Sequence, residues 1–437
     1  MAFEKVLSVA FKDEGGHNLE KYLARDGYAG ARKALKDFEP KEVSTYVKEA
    51  NLRGRGGAGF PAGMKWSFIP ETDKPKYLCV NADESEPGTF KDRQIMAYDP
   101  HLLIEGMIIC CYAIGCHDAY IFSRGEYVRE INALNAAIKE LEEKGWLGSG
   151  NKLLGEFDFE LNITVTRGAG AYICGEETGL ISAQEGGRAY PKVKPPFPAV
   201  EGYFRSPTIV NNVETLANLG PIFHRGKEWF STAGQEPKLF CLSGHVKNPG
   251  VYEAALGTPL RELLFSDEFG GGIIGGDLKG VIPGGSSMPI FPNTDEYLDT
   301  PMEFDAVKAK GSFLGSAGVI AINSNTCMVN ALYNLARFYH HESCGQCTPC
   351  REGTGWLEKI LHRIEFGHGH EGDLELLENV AWQMERKTIC MLADSIVMPV
   401  QSYLKHYRAE FEHHIEKKTC MTGTKAGVFE SAEAVAV

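Results

Sequence analysis

Cys344, Cys347 and Cys350 form C-x-x-C-x-x-C within E-S-C-G-Q-C-T-P-C-R-E-G, and Cys390 follows forty positions later in T-I-C-M-L-A-D. Three thiolates this close wrap three corners of an iron–sulfur cube, and one distant thiolate closes the fourth. A zinc site more often shows two separate C-x-x-C pairs. Ferredoxins with two clusters end their run in C-x-x-x-C-P and lend the last Cys to the second cluster. Here Thr348-Pro349 falls inside the triplet, and the fourth Cys lies in another element. The spacing predicts one 4Fe-4S cluster.

A second set of residues suits a nucleotide. Gly54, Gly56 and Gly59 satisfy G-x-G-x-x-G in L-R-G-R-G-G-A-G-F-P, by itself a weak signal. A helix is predicted before it, and Pro61 and Gly63 follow; the dinucleotide fingerprint has a strand before and a helix after. Bare backbone nevertheless lets a flat or phosphorylated ligand approach closely. Lys65 can neutralise phosphate, and Phe60, Trp66 and Phe68 supply rings for stacking. The competing reading is a flexible connector with core aromatics.

N-A-D-E-S-E-P-G follows a predicted strand and crowds Asn81, Asp83, Glu84 and Glu86 at a sheet's carboxyl edge, where α/β folds bind ligands. Carboxylates accept hydrogen bonds from ribose hydroxyls, a flavin N3–H and a nicotinamide amide; a solvated acidic turn is the competing reading. R-G-A-G-A-Y-I-C-G-E-E-T repeats the arrangement with Tyr172, Gly175, Glu176 and Glu177, and Cys174 reads as a packed thiol. Lys194 and Phe197 stand in K-P-P-F-P. Asn211, Asn212 and Thr215 stand in N-N-V-E-T and can hold phosphate or ribityl oxygens.

These loops need elements to position them. Helix is predicted at 39–51, 101–115 and 128–144, and strand at 76–80, 118–123 and 157–166. Strands alternating with helices to about residue 230 predict an α/β, Rossmann-like domain with a largely parallel sheet. Composition shifts near Gly234. Strand, hairpin, short helix and strand then predict an α+β domain of ubiquitin-like size. From Thr326 the apolar spacing is helical, and helices at 355–364, 373–385 and 394–417 follow, which predicts a four-helix bundle with the cluster near one end. The expected divisions are an N-terminal arm with two helices at 1–50, the nucleotide domain at 51–235, the small domain at 236–322, the bundle at 323–418 and a disordered tail at 419–437. The paired histidines His340-His341, His368/His370 and His413-His414 read as solvated helix faces.

The chain has 437 residues and a net charge of −13. Two to four domains are expected. The acidic balance argues against nucleic acid. Twelve cysteines without disulfide spacing fit a reducing compartment. The run at 107–116 is about half the length needed to span a bilayer, and Cys110, Cys111 and Cys116 within it read as buried thiols. The start shows neither signal-peptide nor transit-peptide character.

The five motifs in order, L-R-G-R-G-G-A-G-F-P, N-A-D-E-S-E-P-G, G-A-G-A-Y-I-C-G-E-E-T, N-N-V-E-T and E-S-C-G-Q-C-T-P-C-R, resemble the NADH-binding flavoprotein subunit of respiratory complex I, from about residue 15 to 415. Related diaphorase subunits of NAD-linked hydrogenases and formate dehydrogenases often carry an extra ferredoxin-type domain whose motif is missing here. The resemblance implies FMN, one 4Fe-4S cluster and NAD(H) as substrate. It implies that Gly54, Arg55, Gly56, Gly57, Ala58, Gly59, Phe60, Lys65 and Phe68 face NADH, with Lys194 and Phe197 at the adenosine end. Glu86 and Glu177 accept hydrogen bonds from NADH and position the hydride transfer; no side chain is needed as acid or base. Gly54, Gly56, Lys65, Asn81, Asp83, Glu84, Tyr172, Gly175, Glu176, Glu177, Asn211, Asn212 and Thr215 are the implied flavin contacts. Cys344, Cys347, Cys350 and Cys390 are the implied cluster ligands. The small domain is implied to be a ubiquitin-like β-grasp. Expected partners are a thioredoxin-like 2Fe-2S subunit and a larger multi-cluster subunit, in the peripheral arm of a membrane complex on the cytoplasmic side.

Overall fold

A computed structural model describes residues 3–13, 15–232 and 234–422. The chain divides into two compact units. One comprises Met1–Cys241, Val251–Thr258 and Gly315–Ala317; the other comprises Leu242–Gly250, Pro259–Leu314 and Gly318–Val437.

The first unit is built on four strands: β1 (Tyr77–Ala82), β2 (Asp118–Ser123), β3 (Asn162–Arg167) and β4 (Thr208–Asn212). Their order is β3-β2-β1-β4, and every pairing is parallel. Short apolar runs such as Leu78-Cys79-Val80, all fully buried, suit a sheet covered on both faces. β3 starts later than its expected 157–166, because 157–161 is spent in a loop that returns to the backbone of Leu153.

The helix Pro100–Ile114 is buried at every position except Tyr112. Burying Leu103, Ile104, Met107, Ile108 and Ile109 stabilises the unit by about 1.5–3 kcal/mol each. A Cβ on Gly106 would lie 2.0 Å from the Leu216 carbonyl oxygen, so only glycine lets this helix approach the short helix Val213–Ala217. Glu105, on the same helix, is a buried acceptor. It takes hydrogen bonds from the Tyr28 and Ala31 N–H groups and from the Tyr22 hydroxyl, which ties the N-terminal segment to the core. That segment holds three helices, Leu19–Leu23, Ala29–Asp37 and Pro40–Glu49, where two were expected. Cys110, Cys111 and Cys116 are fully buried, in accord with their reading as core thiols.

A five-stranded sheet follows: β5 (Pro237–Gly244), β6 (Gly250–Ala255), β7 (Leu278–Ile282), β8 (Phe291–Pro292) and β9 (Gly318–Asn323), in order β6-β5-β9-β7-β8. β7 pairs antiparallel with β8 and β9. The sequence reading missed β8, β9 and the helices Asp295–Leu298 and Phe304–Ala309.

Four helices complete the second unit: Met328–His341, Thr348–Glu365, Asp373–Met384 and Asp394–Lys417. Val329, Leu332, Tyr333, Ala336 and Tyr339 form a buried stripe on the first of them, at the spacing of one helical face. The first helix packs on the second and fourth, and the third packs on the second and fourth. The second helix starts at Thr348, seven residues before the predicted 355, so Cys350 sits in its first turn. Of the expected disordered tail, only 419–422 is described, with a turn at Met421 and Thr422; the rest of it lies outside the described residues. Among the described residues, no helix is long and apolar enough to cross a membrane.

Candidate nucleotide and cluster sites

The strand order places a topological switch between β1 and β4: the chain runs outward from β1 to β2 and β3, then returns to β4 on the other side. Crevices at the carboxyl ends of strands flanking such a switch are where open parallel sheets bind ligands. Asn81 pairs in register with Asn212 at this point, and the loops after β1, β3 and β4 carry three of the predicted motifs.

Residues 53–61 fold back on themselves. Arg53 bridges Pro61, and the Gly54 N–H donates to the Phe60 carbonyl at 2.9 Å. The loop is fastened to the β4 turn by the Arg55 N–H, which donates to Thr215 Oγ1 at 2.8 Å. A Cβ on Gly56 would lie 3.0 Å from the Asn212 Cβ, whereas a Cβ on Gly57, at φ +133°, would meet nothing within 4 Å. One glycine therefore packs the loop down, and the other presents bare backbone to open space. The Arg55 side chain is fully buried and pairs with Glu236 at 2.6 Å.

A charge relay spans the loops. Lys65 Nζ donates to Glu177 Oε2 at 2.8 Å and to the Val210 carbonyl at 2.8 Å. Lys194 Nζ reaches Glu177 Oε1 at 2.7 Å and Glu176 Oε1 at 3.1 Å. Burial opposes ionisation of Glu177, but the ammonium groups of Lys65 and Lys194 overcome it and hold the carboxyl at about 2. Glu176 also caps the helix Glu177–Gln184, accepting from the Thr178 and Gly179 N–H groups. Phe60, Phe68 and Phe197 are 45%, 52% and 56% exposed. Large rings left in water are a candidate stacking surface; Phe60 and Phe68 lie 6.1 Å apart.

After β1, the Asn81 amide donates to the Gly175 carbonyl at 2.7 Å, and Asp83 is buried beneath Ser85, which donates to it at 2.5 Å. Tyr172 donates to Glu86 at 2.7 Å, joining the loops after β1 and β3. Glu84 also reaches the next helix. Its carboxylate accepts from the N–H groups of Asp92 and Arg93 at 2.6 and 2.9 Å, at the start of the helix Asp92–Tyr98. Burial, followed by the charge on Asp92, pushes its pKa up to about 8.

After β4, the Asn211 amide faces the Trp66 indole N–H at 2.9 Å, and Asn212 donates to Asp92 at 2.6 Å. Sequence reading passed over the group beneath this turn. Glu214 is fully buried and pairs with Lys91 at 2.7 Å and Lys238 at 2.8 Å. The one clue was a lysine opening the apolar strand K-L-F-C-L.

The chemistry of this surface fits a dinucleotide and a flavin. Lysines paired with Glu176 and Glu177 line it, with carboxylate and amide oxygens for hydroxyl and N–H donors, rings for stacking, and open backbone at Gly57 for close approach.

In the second unit, the Cys350 thiol is pushed up to about 11 by burial and by the neighbouring Cys347 and Cys344. Ser343 Oγ lies 3.3 Å from its sulfur. Closely spaced thiols of this kind are the ligands an iron–sulfur cluster takes. Cys390 is half-buried in the turn between the helices Asp373–Met384 and Asp394–Lys417, a turn braced by the Arg386 N–H donating to Asp394 at 3.0 Å. One histidine expectation is corrected: His414 is 2% exposed. Its Nε2 lies 3.3 Å from Cys327 Sγ, because the apolar packing of the last helix turns this face inward.

Comparison with known proteins agrees with this division. Residues 47–220 match the Nuo51 FMN-binding domain, residues 239–291 the SLBB domain, and residues 330–414 the NADH-ubiquinone oxidoreductase-F iron-sulfur binding region. The chain is 52% identical to one of the NADH-quinone oxidoreductase F subunits of Rhizobium meliloti over 96% of its own length and 99% of that protein's. It is 48% identical to the NADH-quinone oxidoreductase F subunit of Streptomyces coelicolor over 95% of its length and 92% of that protein's. Among solved structures, an air-oxidised NAD+-reducing [NiFe]-hydrogenase chain superposes with a TM-score of 0.80 at 34% identity, covering 91% of this chain and 67% of that one. The chain belongs to the family of NADH-quinone oxidoreductase F subunits, flavoproteins with an FMN-binding domain and a 4Fe-4S region.

Proposed function

We propose that this chain is the NADH dehydrogenase subunit of an NADH:quinone oxidoreductase, taking electrons from NADH and delivering them one at a time to iron–sulfur partners and on to quinone. The observation that carries the reading is the Lys65–Glu177–Lys194 relay beside exposed Phe60, Phe68 and Phe197 at the sheet's switch point.

Gly54, Gly56, Lys65, Asn81, Asp83, Tyr172, Gly175, Glu176, Glu177, Asn211, Asn212 and Thr215 hold FMN. Glu84 acts on that site indirectly, by fixing the start of the helix whose Asp92 accepts from Asn212. Gly57, Ala58, Gly59, Phe60 and Phe68 take NADH, with the Arg55 backbone behind them and Lys194 and Phe197 at the adenosine end. Glu86 and Glu177 orient the nicotinamide and ribose through their acceptor oxygens. Cys344, Cys347, Cys350 and Cys390 ligate the cluster. When bound, the flavin supplies the conversion from a two-electron hydride donor to a one-electron cluster. The side chains orient, exclude water and set potential; none is assigned a proton transfer.

We assign residues 51–235 to the nucleotide domain after the arm at 1–50, 236–322 to a ubiquitin-like β-grasp domain, and 323–418 to a four-helix cluster bundle before the tail at 419–437. Partners are a thioredoxin-like 2Fe-2S subunit and a larger multi-cluster subunit in the peripheral arm of a membrane complex, on its cytoplasmic side. The second reading, a diaphorase subunit of a soluble NAD-linked hydrogenase, draws on the likeness to hydrogenase chains.

Purified protein should be yellow-brown, with flavin and iron–sulfur absorption, and should reduce ferricyanide with NADH. Absence of flavin from anaerobically purified protein would refute the proposal. Affinity capture from the native cell separates the two readings: membrane-complex subunits support the first, a nickel-containing partner the second.

A further inference from the structure

We propose that Cys327, His414 and Cys420 form a second, non-cluster metal site that binds one zinc-class divalent cation. The two sulfurs and one imidazole nitrogen lie within 4.8 Å of one another, and Cys327 Sγ is 3.3 Å from His414 Nε2. Zinc bonds of about 2.3 Å to sulfur and about 2.0 Å to nitrogen give tetrahedral ligand–ligand edges of roughly 3.5–3.8 Å. A cation can therefore be seated with small side-chain shifts. None of the three residues belongs to the predicted cluster set, and His414 and Cys327 come from elements far apart in sequence.

The surroundings of the imidazole point the same way. The His414 Nδ1 stands 3.7 Å from Glu365 Oε2. Glu365 is itself held by the Asn330 amide at 3.0 Å. This fixes the ring with Nε2 toward the thiols, the arrangement in which the outer nitrogen of a metal-bound histidine is held by a carbonyl or carboxylate. Glu365 Oε2 also lies 3.8 Å from Cys327 Sγ.

Cys327 caps the fourteen-residue helix Met328–His341, and its sulfur accepts from the Asn330 N–H at 3.5 Å. Cys327 and His414 are 4% and 2% exposed, while Cys420 is half-buried and gives an entry side. Two thiolates and a neutral imidazole balance a divalent cation and select zinc over the oxygen-seeking magnesium and calcium. The ion would clip the segment after Lys417 to the start of the helix at Met328, closing a chain loop of ninety-odd residues.

The test is metal analysis of the full-length, flavin- and iron-loaded protein after dialysis against metal-free buffer. One zinc per chain is expected beside the cluster iron. Zinc-edge X-ray absorption should show two sulfurs at about 2.3 Å and one nitrogen at about 2.0 Å. Cys420→Ser, at a half-buried position that spares the core, should lose the zinc while keeping iron, FMN and NADH–ferricyanide activity. His414→Gln should do the same for the metal. Wild-type protein that carries no zinc and takes none up from zinc-buffered solution would overturn the proposal. So would zinc retained in Cys420→Ser, a zinc edge without sulfur neighbours, or peptide mapping that finds Cys327 and Cys420 joined as a disulfide.

Discussion

Glu214→Gln tests whether the flavin loops rest on the buried charges beneath them. Glu214 accepts from Lys91 at 2.7 Å, from Lys238 at 2.8 and 3.0 Å and from the Leu239 N–H at 2.9 Å. All three ionic side chains are at most 1% exposed. Burial raises the Glu214 pKa, but Lys238, Lys91 and Arg55 pull it down to about 2. Its stabilisation is thus present above the ordinary carboxylate range and is lost only as pH falls toward 2, so at neutral pH it is in full force. Glutamine keeps the shape and removes the charge, leaving two buried ammonium groups with one counterion fewer. Breaking a buried pair from one side costs about 3–5 kcal/mol. At about 2 °C per kcal/mol for a unit of this size, unfolding should move down by roughly 6–10 °C. Lys238→Met should cost less than half as much, because Glu214 keeps Lys91. The assay is calorimetry together with flavin fluorescence, which reports when FMN leaves. The two signals should shift together, since Glu214 adjoins Asn211, Asn212 and Thr215. A shift under about 2 °C for Glu214→Gln, or an equal shift for Lys238→Met, would refute the reasoning.

Cys390→Ala should abolish the low-temperature paramagnetic signal of the reduced cluster while part of the NADH–ferricyanide activity survives; a full signal would remove Cys390 from the ligand set. Wild type should strongly prefer NADH to NADPH, and Glu177→Gln should narrow that gap, because a carboxylate beside the ribose repels a 2′-phosphate; comparing kcat/KM for the two substrates decides it. Glu84 is pushed up to about 8, so the folded state favours its neutral form, and that preference fades as pH rises from about 4.5 through 8. Wild-type stability should therefore fall as pH rises from about 6 to 9, and Glu84→Gln should flatten that dependence in denaturant titrations, with FMN affinity changed less than threefold. A large loss of FMN affinity would show that Glu84 touches the flavin directly.

The sequence alone determined the chemistry. Thiol spacing named the cluster, and glycine, carboxylate and ring-bearing motifs named a nucleotide surface, because these depend on residue type and local spacing. Periodicity located the long helices well: Asp394–Lys417 has the bounds read from sequence, and β2 likewise. Weak local signals failed. β8 is two residues long, and β9 reads as a short apolar run that helix or strand explains equally. Tertiary structure decided which polar residues face inward. Nothing in the local sequence shows that Glu84 caps a helix, that the Arg55 guanidinium turns to Glu236 or that Glu214 neutralises Lys91 and Lys238. Each partner arrives from another element, and only burial makes the pairing obligatory. His414 shows the same limit. Helical spacing leaves its face open to either solvent or core, and the contact that brings Cys327 against it joins residues 87 positions apart.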